Sequence, residues 1–294
     1  MSTSNTTDWL GGWTAAAPAQ IGYVAVGRDE GTWTAFLEGG LETRDLGLTA
    51  ASNQQISAVH IRNTRESTVG GWHCYDLDFE FFYVLAGSMK LESHEGEIHH
   101  LGPGDAGVHP AFYFHRAHHL SADLEVVRIT APAHGTRFDG RDATLPERAV
   151  SPTASRTAIY TKEVPANYEL GAGPRKFFRY RDLGTRGLTD ERIHLHVVRA
   201  TEPGPGTGWH YHTMAQWFMI VGGDSWIRVE DRPAQHLDYL DTMCIGSGPE
   251  MRHNVAPFSG DYAVLEMCVP AVYDTVAVEP PVGSAPPPAD GTTE

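Results

Sequence analysis

His210 and His212 stand one residue apart in the stretch 208–223, GWHYHTMAQWFMIVGG. Their neighbours favour strand, and alternate side chains of a strand leave the same face, so the two imidazoles point together as a chelating pair. In a helix the same spacing would turn them roughly 200° apart and rule out a shared ion. Gln216 opens an apolar run, 217–221, that ends on Gly222 and Gly223. This run is expected to be a neighbouring strand whose first inward side chain faces the same ion. His253, in the string EMRHN, supplies a third nitrogen from a later strand. Three neutral imidazoles and one oxygen suit a borderline divalent metal such as iron(II), manganese, nickel, copper or zinc, whereas calcium and magnesium prefer oxygen shells.

At these residues the chain resembles the cupin superfamily. The family's first motif has a glycine, an HxH, an acid and a closing glycine, and its second ends in one histidine. Gly208, His210, His212, Gln216, Gly223 and His253 hold those positions. The departure is Gln216, where the family usually has glutamate, and it removes one negative charge from the metal's shell.

The elements that must position these groups are signalled by an internal repeat. The string RDLG at 44–47 recurs at 181–184, and GWH at 71–73 recurs at 208–210, both at an offset of 137 residues. A duplicated chain with these motifs resembles a bicupin, and the resemblance implies an all-β fold of two tandem double-stranded β-helix (jelly-roll) barrels. The expected organisation is an N-terminal extension at 1–39, barrel 1 at 40–132, a surface linker at 133–177, barrel 2 at 178–271 and a Pro-rich disordered tail at 272–294.

Barrel 1 keeps the frame with different ligands. His73 is retained, Tyr75 replaces the second histidine, Glu80 holds the acid position, Gly87 closes the strand, and His115 follows the turn GPGD at 102–105. His73, Glu80 and His115, with Tyr75 as a weak fourth ligand or hydrogen-bond donor, form a candidate second metal site, since two histidines and a carboxylate hold iron or zinc. The alternative is a degenerate barrel that only stabilises its partner. The other histidines, among them His94, His99, His100, His118, His119, His194 and His196, read as structural or solvent-facing.

A three-histidine set in a barrel leaves coordination positions open, as a catalytic metal requires. Strand alternation puts Phe218, Ile220, Met243 and Met251 around it as an apolar substrate pocket. Three-histidine cupins of the kind this chain resembles bind iron(II), with dioxygen as co-substrate, and cleave a carbon–carbon bond of small enolisable or aromatic hydroxylated substrates. The resemblance therefore implies a metal-dependent dioxygenase. Gln216 is the expected catalytic departure: an amide cannot accept a proton at neutral pH, so the substrate must ionise on the metal or use a bound water or hydroxide as base. Two other classes stay open: a cupin isomerase, lyase or hydrolase using the metal as a Lewis acid without dioxygen, and a non-catalytic small-molecule-binding bicupin.

Composition agrees with small-molecule chemistry. The 22 basic against 37 acidic residues give a net charge of −15, which disfavours nucleic acid and anionic membranes as partners. Cys74, Cys244 and Cys268 lie in apolar segments and read as buried free thiols in a reducing compartment. The N-terminal stretch has no signal-peptide pattern, and a cytoplasmic location is expected. Sheet edges offer a route to a homo-oligomer. Trp72 and Trp209, each just before a motif histidine, should point away from the ion.

Overall fold

The computed structural model describes residues 20–37, 40–65, 70–146, 157–173, 175–204 and 206–282. They fall into two compact units, one built from Gly31–Val164 with Leu183–Arg192, the other from Pro165–Asp182 and the chain from Ile193 onward, with a strand from the N-terminal region.

Each unit is a pair of antiparallel sheets, one of seven strands and one of five. The duplication read from two short strings extends strand by strand. Ser57–Asn63, His73–Tyr75, Phe79–Ala86, Met89–Ser93, His115–Leu120 and Glu125–Ala131 have counterparts of identical length in His194–Ala200, His210–His212, Ala215–Gly222, Ser225–Val229, His253–Phe258 and Ala263–Val269. The RDLG strings serve the frame. Arg44 and Arg181 are buried, and Gly47 and Gly184, at φ near 80°, start the one-turn helices Leu48–Ala51 and Thr185–Leu188.

Sequence pattern explains the layers. Met89–Ser93 and Ser225–Val229 alternate buried and half-buried residues, as strands with one face on the core do. Phe79–Ala86 and Ala215–Gly222 run through the middle of the larger sheets and are buried almost throughout. Both end on a glycine at positive φ, Gly87 at 67° and Gly223 at 58°. A Cβ on Gly87 would lie 2.7 Å from the Leu124 backbone, and one on Gly223 would lie 2.7 Å from the Tyr262 nitrogen. No other residue fits either corner.

The barrels reach beyond the expected boundaries. In the segment expected to be a surface linker, Arg137–Asp139 pairs with His73–Tyr75 and Ile159–Thr161 pairs with Ala106–Pro110. Glu169–Leu170 pairs with Phe178–Asp182 in the other unit. From the expected extension, Val24–Val26 completes the larger sheet of the second barrel by pairing with Thr242–Ile245. The expected tail also supplies a strand, Thr275–Ala277, which pairs with His210–His212. These outer strands are two or three residues long. They are too short for their alternation to show in the sequence. The opening residues 1–19 and the end of the tail, 283–294, lie outside the described residues. All three cysteines are free and buried, and burial raises the Cys74 thiol to about 11. No helix among the described residues is long and apolar enough to cross a membrane.

Candidate metal centre

The second barrel gathers its histidines at the centre of the five-stranded sheet. His210 and His253 are direct cross-strand partners, and His212 follows on the same face of the strand His210–His212. The three rings lie 4.4 to 5.3 Å apart. One nitrogen from each falls within 4.8 Å of the others, and all three residues are buried.

The outer nitrogen of each ring is anchored. His210 Nδ1 donates to the Gly208 carbonyl at 2.7 Å, and His253 Nδ1 donates to the Met251 carbonyl at 2.9 Å. A carbonyl only accepts, so both Nδ1 atoms carry the proton and both Nε2 atoms keep a lone pair. His212 Nδ1 shares a 2.9 Å hydrogen bond with the Thr275 hydroxyl. Such outer partners fix the orientation of metal-ligating histidines. Burial lowers the pKa of all three rings, that of His210 to about 3 and that of His212 well below the usual histidine range, with His253 adding to both. All three are therefore neutral donors at pH 7. Gln216 completes the group: its amide nitrogen donates to His253 Nε2 at 3.1 Å. This donor set fits a borderline divalent transition metal, held by His210, His212 and His253 with the Gln216 amide alongside.

A cavity of about 80 Å³ opens beside the histidines. Of the expected pocket residues, Phe218 lines it, whereas Ile220, Met243 and Met251 do not. The alternation is as expected, but register moves the pocket. Ile245 pairs with Gln216 and so reaches the site, while Met243 pairs with Phe218 one step further away. Ile220 and Met243 belong to the hydrophobic core behind the cavity, and Met251 packs against that core. Polar lining comes from residues that no sequence motif singles out, among them Arg175, Glu266, Tyr273 and Thr275. Arg175 and Thr275 fall in the segments expected to be linker and tail. Glu266 binds His196 at 2.7 Å, so His196 stands directly behind a residue that faces the cavity. The Tyr273 ring stands edge-on to His212 at 5.6 Å.

In the first barrel, His73, Tyr75, Glu80 and His115 all border one cavity, of about 140 Å³. The group whose donor atoms converge is different: Glu80, His109 and His115 lie within 4.8 Å of one another, and His73 is not among them. His73 remains a neighbour, its ring 4.5 Å from that of His115. Tyr75 is turned under Arg128, whose guanidinium lies 4.9 Å from its ring. Arg128 Nε donates to Glu80 Oε1 at 2.7 Å. Burial acts to raise the Glu80 pKa, but Arg128 and His109 outweigh it and hold the carboxyl well below its usual range. His109 had no place in the expected site. It lies on Ala106–Pro110 directly opposite Glu80, and only that pairing reveals it.

Two tandem barrels of this topology are the bicupin fold. Residues 54–125 match the model of the EutQ-like cupin domain. No curated protein matches the chain in sequence. Among solved structures it is similar to oxalate decarboxylase from Bacillus subtilis. A deletion mutant of that enzyme matches with a TM-score of 0.60 at 15% identity, over 88% of this chain and 80% of the other. A structure described with Mn(II) centres gives the same values, and the enzyme at pH 4.6 gives 0.57 at 16% identity, over 88% and 79%. At such identity the likeness is one of fold.

Proposed function

We propose that this bicupin is a metal-dependent enzyme whose second barrel holds one divalent transition metal, iron(II) first, through His210, His212 and His253. In this reading it acts on a small organic anion and cleaves a carbon–carbon bond with dioxygen. The observation that carries the reading is the set of three buried, neutral imidazoles, each anchored at Nδ1, with an amide where a carboxylate would stand. No ligand in that set is negatively charged, so the charge of a bound ion would stay available to an incoming anion. Arg175 in the cavity wall adds a positive charge, which favours a substrate that binds as carboxylate, enolate or phenolate.

The metal would supply Lewis acidity and a place for dioxygen beside the substrate. The chain's own groups do the rest. Arg175 orients the anion, Phe218, Ile245 and Val264 exclude water, and Gln216 offers a hydrogen bond without taking a proton. Oxygen uptake by iron-loaded protein on turnover, absent in His210→Ala, is the test.

One observation favours a second reading, a lyase or isomerase that needs no dioxygen. Glu266, hydrogen-bonded to His196, faces the same cavity, and such a pair can move a proton onto or off a substrate carbon. The likeness in fold to a decarboxylase accords with this. Turnover under argon separates the two readings.

A further inference from the structure

The two barrels differ most sharply beside Glu80. Its counterpart is Gln216, and the residues directly opposite the two on the neighbouring strand are His109 and Ile245. Behind His109 stands Tyr160, whose hydroxyl shares a 2.9 Å hydrogen bond with His109 Nε2. The Tyr160 hydroxyl bonds in turn with Tyr113, and Tyr113 with Ser93. The corresponding positions in the second barrel are Ala25, Met251 and Val229, all packed in or against its apolar core. The same scaffold thus closes well with apolar residues here, so the fold alone does not call for the polar chain in the first barrel.

That chain ends on an unpaired atom. His109 Nδ1 is buried without a hydrogen-bond partner. It lies 3.5 Å from Glu80 Oε2, near enough for attraction but not aligned as a hydrogen bond. His115 Nδ1 donates to the Tyr113 carbonyl at 3.1 Å, which leaves its Nε2 facing the same point. Arg128 occupies Glu80 Oε1 and leaves Oε2 free of it.

We infer that the first barrel holds a divalent transition metal through Glu80, His109 and His115, a set in which His109 replaces the nitrogen that Tyr75 removed from the motif. Two histidines and one carboxylate suit zinc or iron(II). The outer nitrogen of each histidine is anchored, one by Tyr160 and one by a main-chain carbonyl, as ligating imidazoles require. This inference is independent of the reading of the second barrel.

The test is titration of chelator-stripped, full-length protein with cobalt(II), followed by visible absorption and elemental analysis, with circular dichroism as the fold control. With His253→Ala disabling the second barrel, one equivalent of cobalt is expected to remain. Adding His109→Ile, which installs the second barrel's own residue, is expected to remove it, whereas Tyr75→Phe and His73→Asn leave it bound. Should His253→Ala fail to fold, His109→Ile alone is expected to lower the wild-type stoichiometry by one equivalent. Retention of the remaining cobalt equivalent when His109→Ile is added to His253→Ala, an undiminished stoichiometry in His109→Ile alone, or loss of that equivalent when His73→Asn is added to His253→Ala with His109 intact, overturns the inference in favour of the motif residues. A folded His253→Ala that binds no cobalt also overturns it. If wild type binds one equivalent that survives His253→Ala and is lost with His109→Ile, the first-barrel site stands and the second-barrel reading falls.

Discussion

The amide nitrogen of Gln216 donates to Nε2 of His253, the nitrogen that faces the other two histidines, across 3.1 Å. In the first barrel the equivalent side chain is Glu80, bound to Arg128 instead. One position thus carries a neutral group next to neutral imidazoles and a charged group next to a guanidinium.

Gln216→Glu should therefore strengthen metal binding, since it returns a negative charge to the second barrel's shell. The expected gain is about tenfold or more in affinity, with an acid-side shift in the pH profile of turnover as the new carboxylate becomes available as a base. Competition with a chromophoric chelator measures the first and initial rates against pH the second. Identical values for both proteins would exclude Gln216 from the site.

Thr275 matters to the centre despite its distance along the chain from His212. Thr275→Val removes the hydroxyl that anchors His212 Nδ1 while keeping the side chain's shape. We expect metal affinity to fall about 10- to 100-fold, the usual cost of losing an outer partner, with little change in melting temperature of the metal-free protein.

Acid should weaken the first barrel through Asp105. Its carboxylate receives Lys162 Nζ at 2.7 Å and the Gly102 and Glu163 amides at 2.9 and 2.8 Å. Burial opposes the charge, but these donors prevail and lower the pKa. A carboxyl depressed on folding stabilises fully above its unfolded pKa of about 3.9, and that contribution is lost as pH falls through the folded value. Asp105→Asn should cost about 1.5 to 3 kcal/mol at pH 7 and flatten the acid limb of stability below about pH 4. Urea melts from pH 3 to 7 check both.

Gly223→Ala tests the strand-closing corner. The new methyl would meet Ser259 Oγ at 2.1 Å and the Tyr262 nitrogen at 2.7 Å in a left-handed backbone. A loss above about 2 kcal/mol is expected, read by denaturant unfolding. Gly70→Ala, with nothing within 4 Å, is the control.

The site was legible where the local pattern and the contact coincide. His210, His212 and Gln216 lie within seven residues: strand alternation puts the two histidines on one face, and the short turn to the next strand brings Gln216 beside them. The two-barrel fold followed from two repeated strings, because duplication preserves residue types at turns and strand starts. Long-range register was not legible. His109 enters the first site through its pairing with Glu80, Ile245 replaces Met243 through its pairing with Gln216, and Thr275 comes from a segment whose prolines suggested no structure. None of these pairings leaves a periodic trace of its own.

The strand Val24–Val26 sits against Cys244 and its neighbours, more than two hundred residues away. Such a contact is slow to close, because the intervening chain must be ordered first. The segment leaves the ribosome early and waits for its sheet until the chain has been made past Ile245. Until the two meet, the rim formed by Thr242–Ile245 is an open template for foreign strands. Removing residues 20–30 should raise the fraction of the protein that clumps during expression.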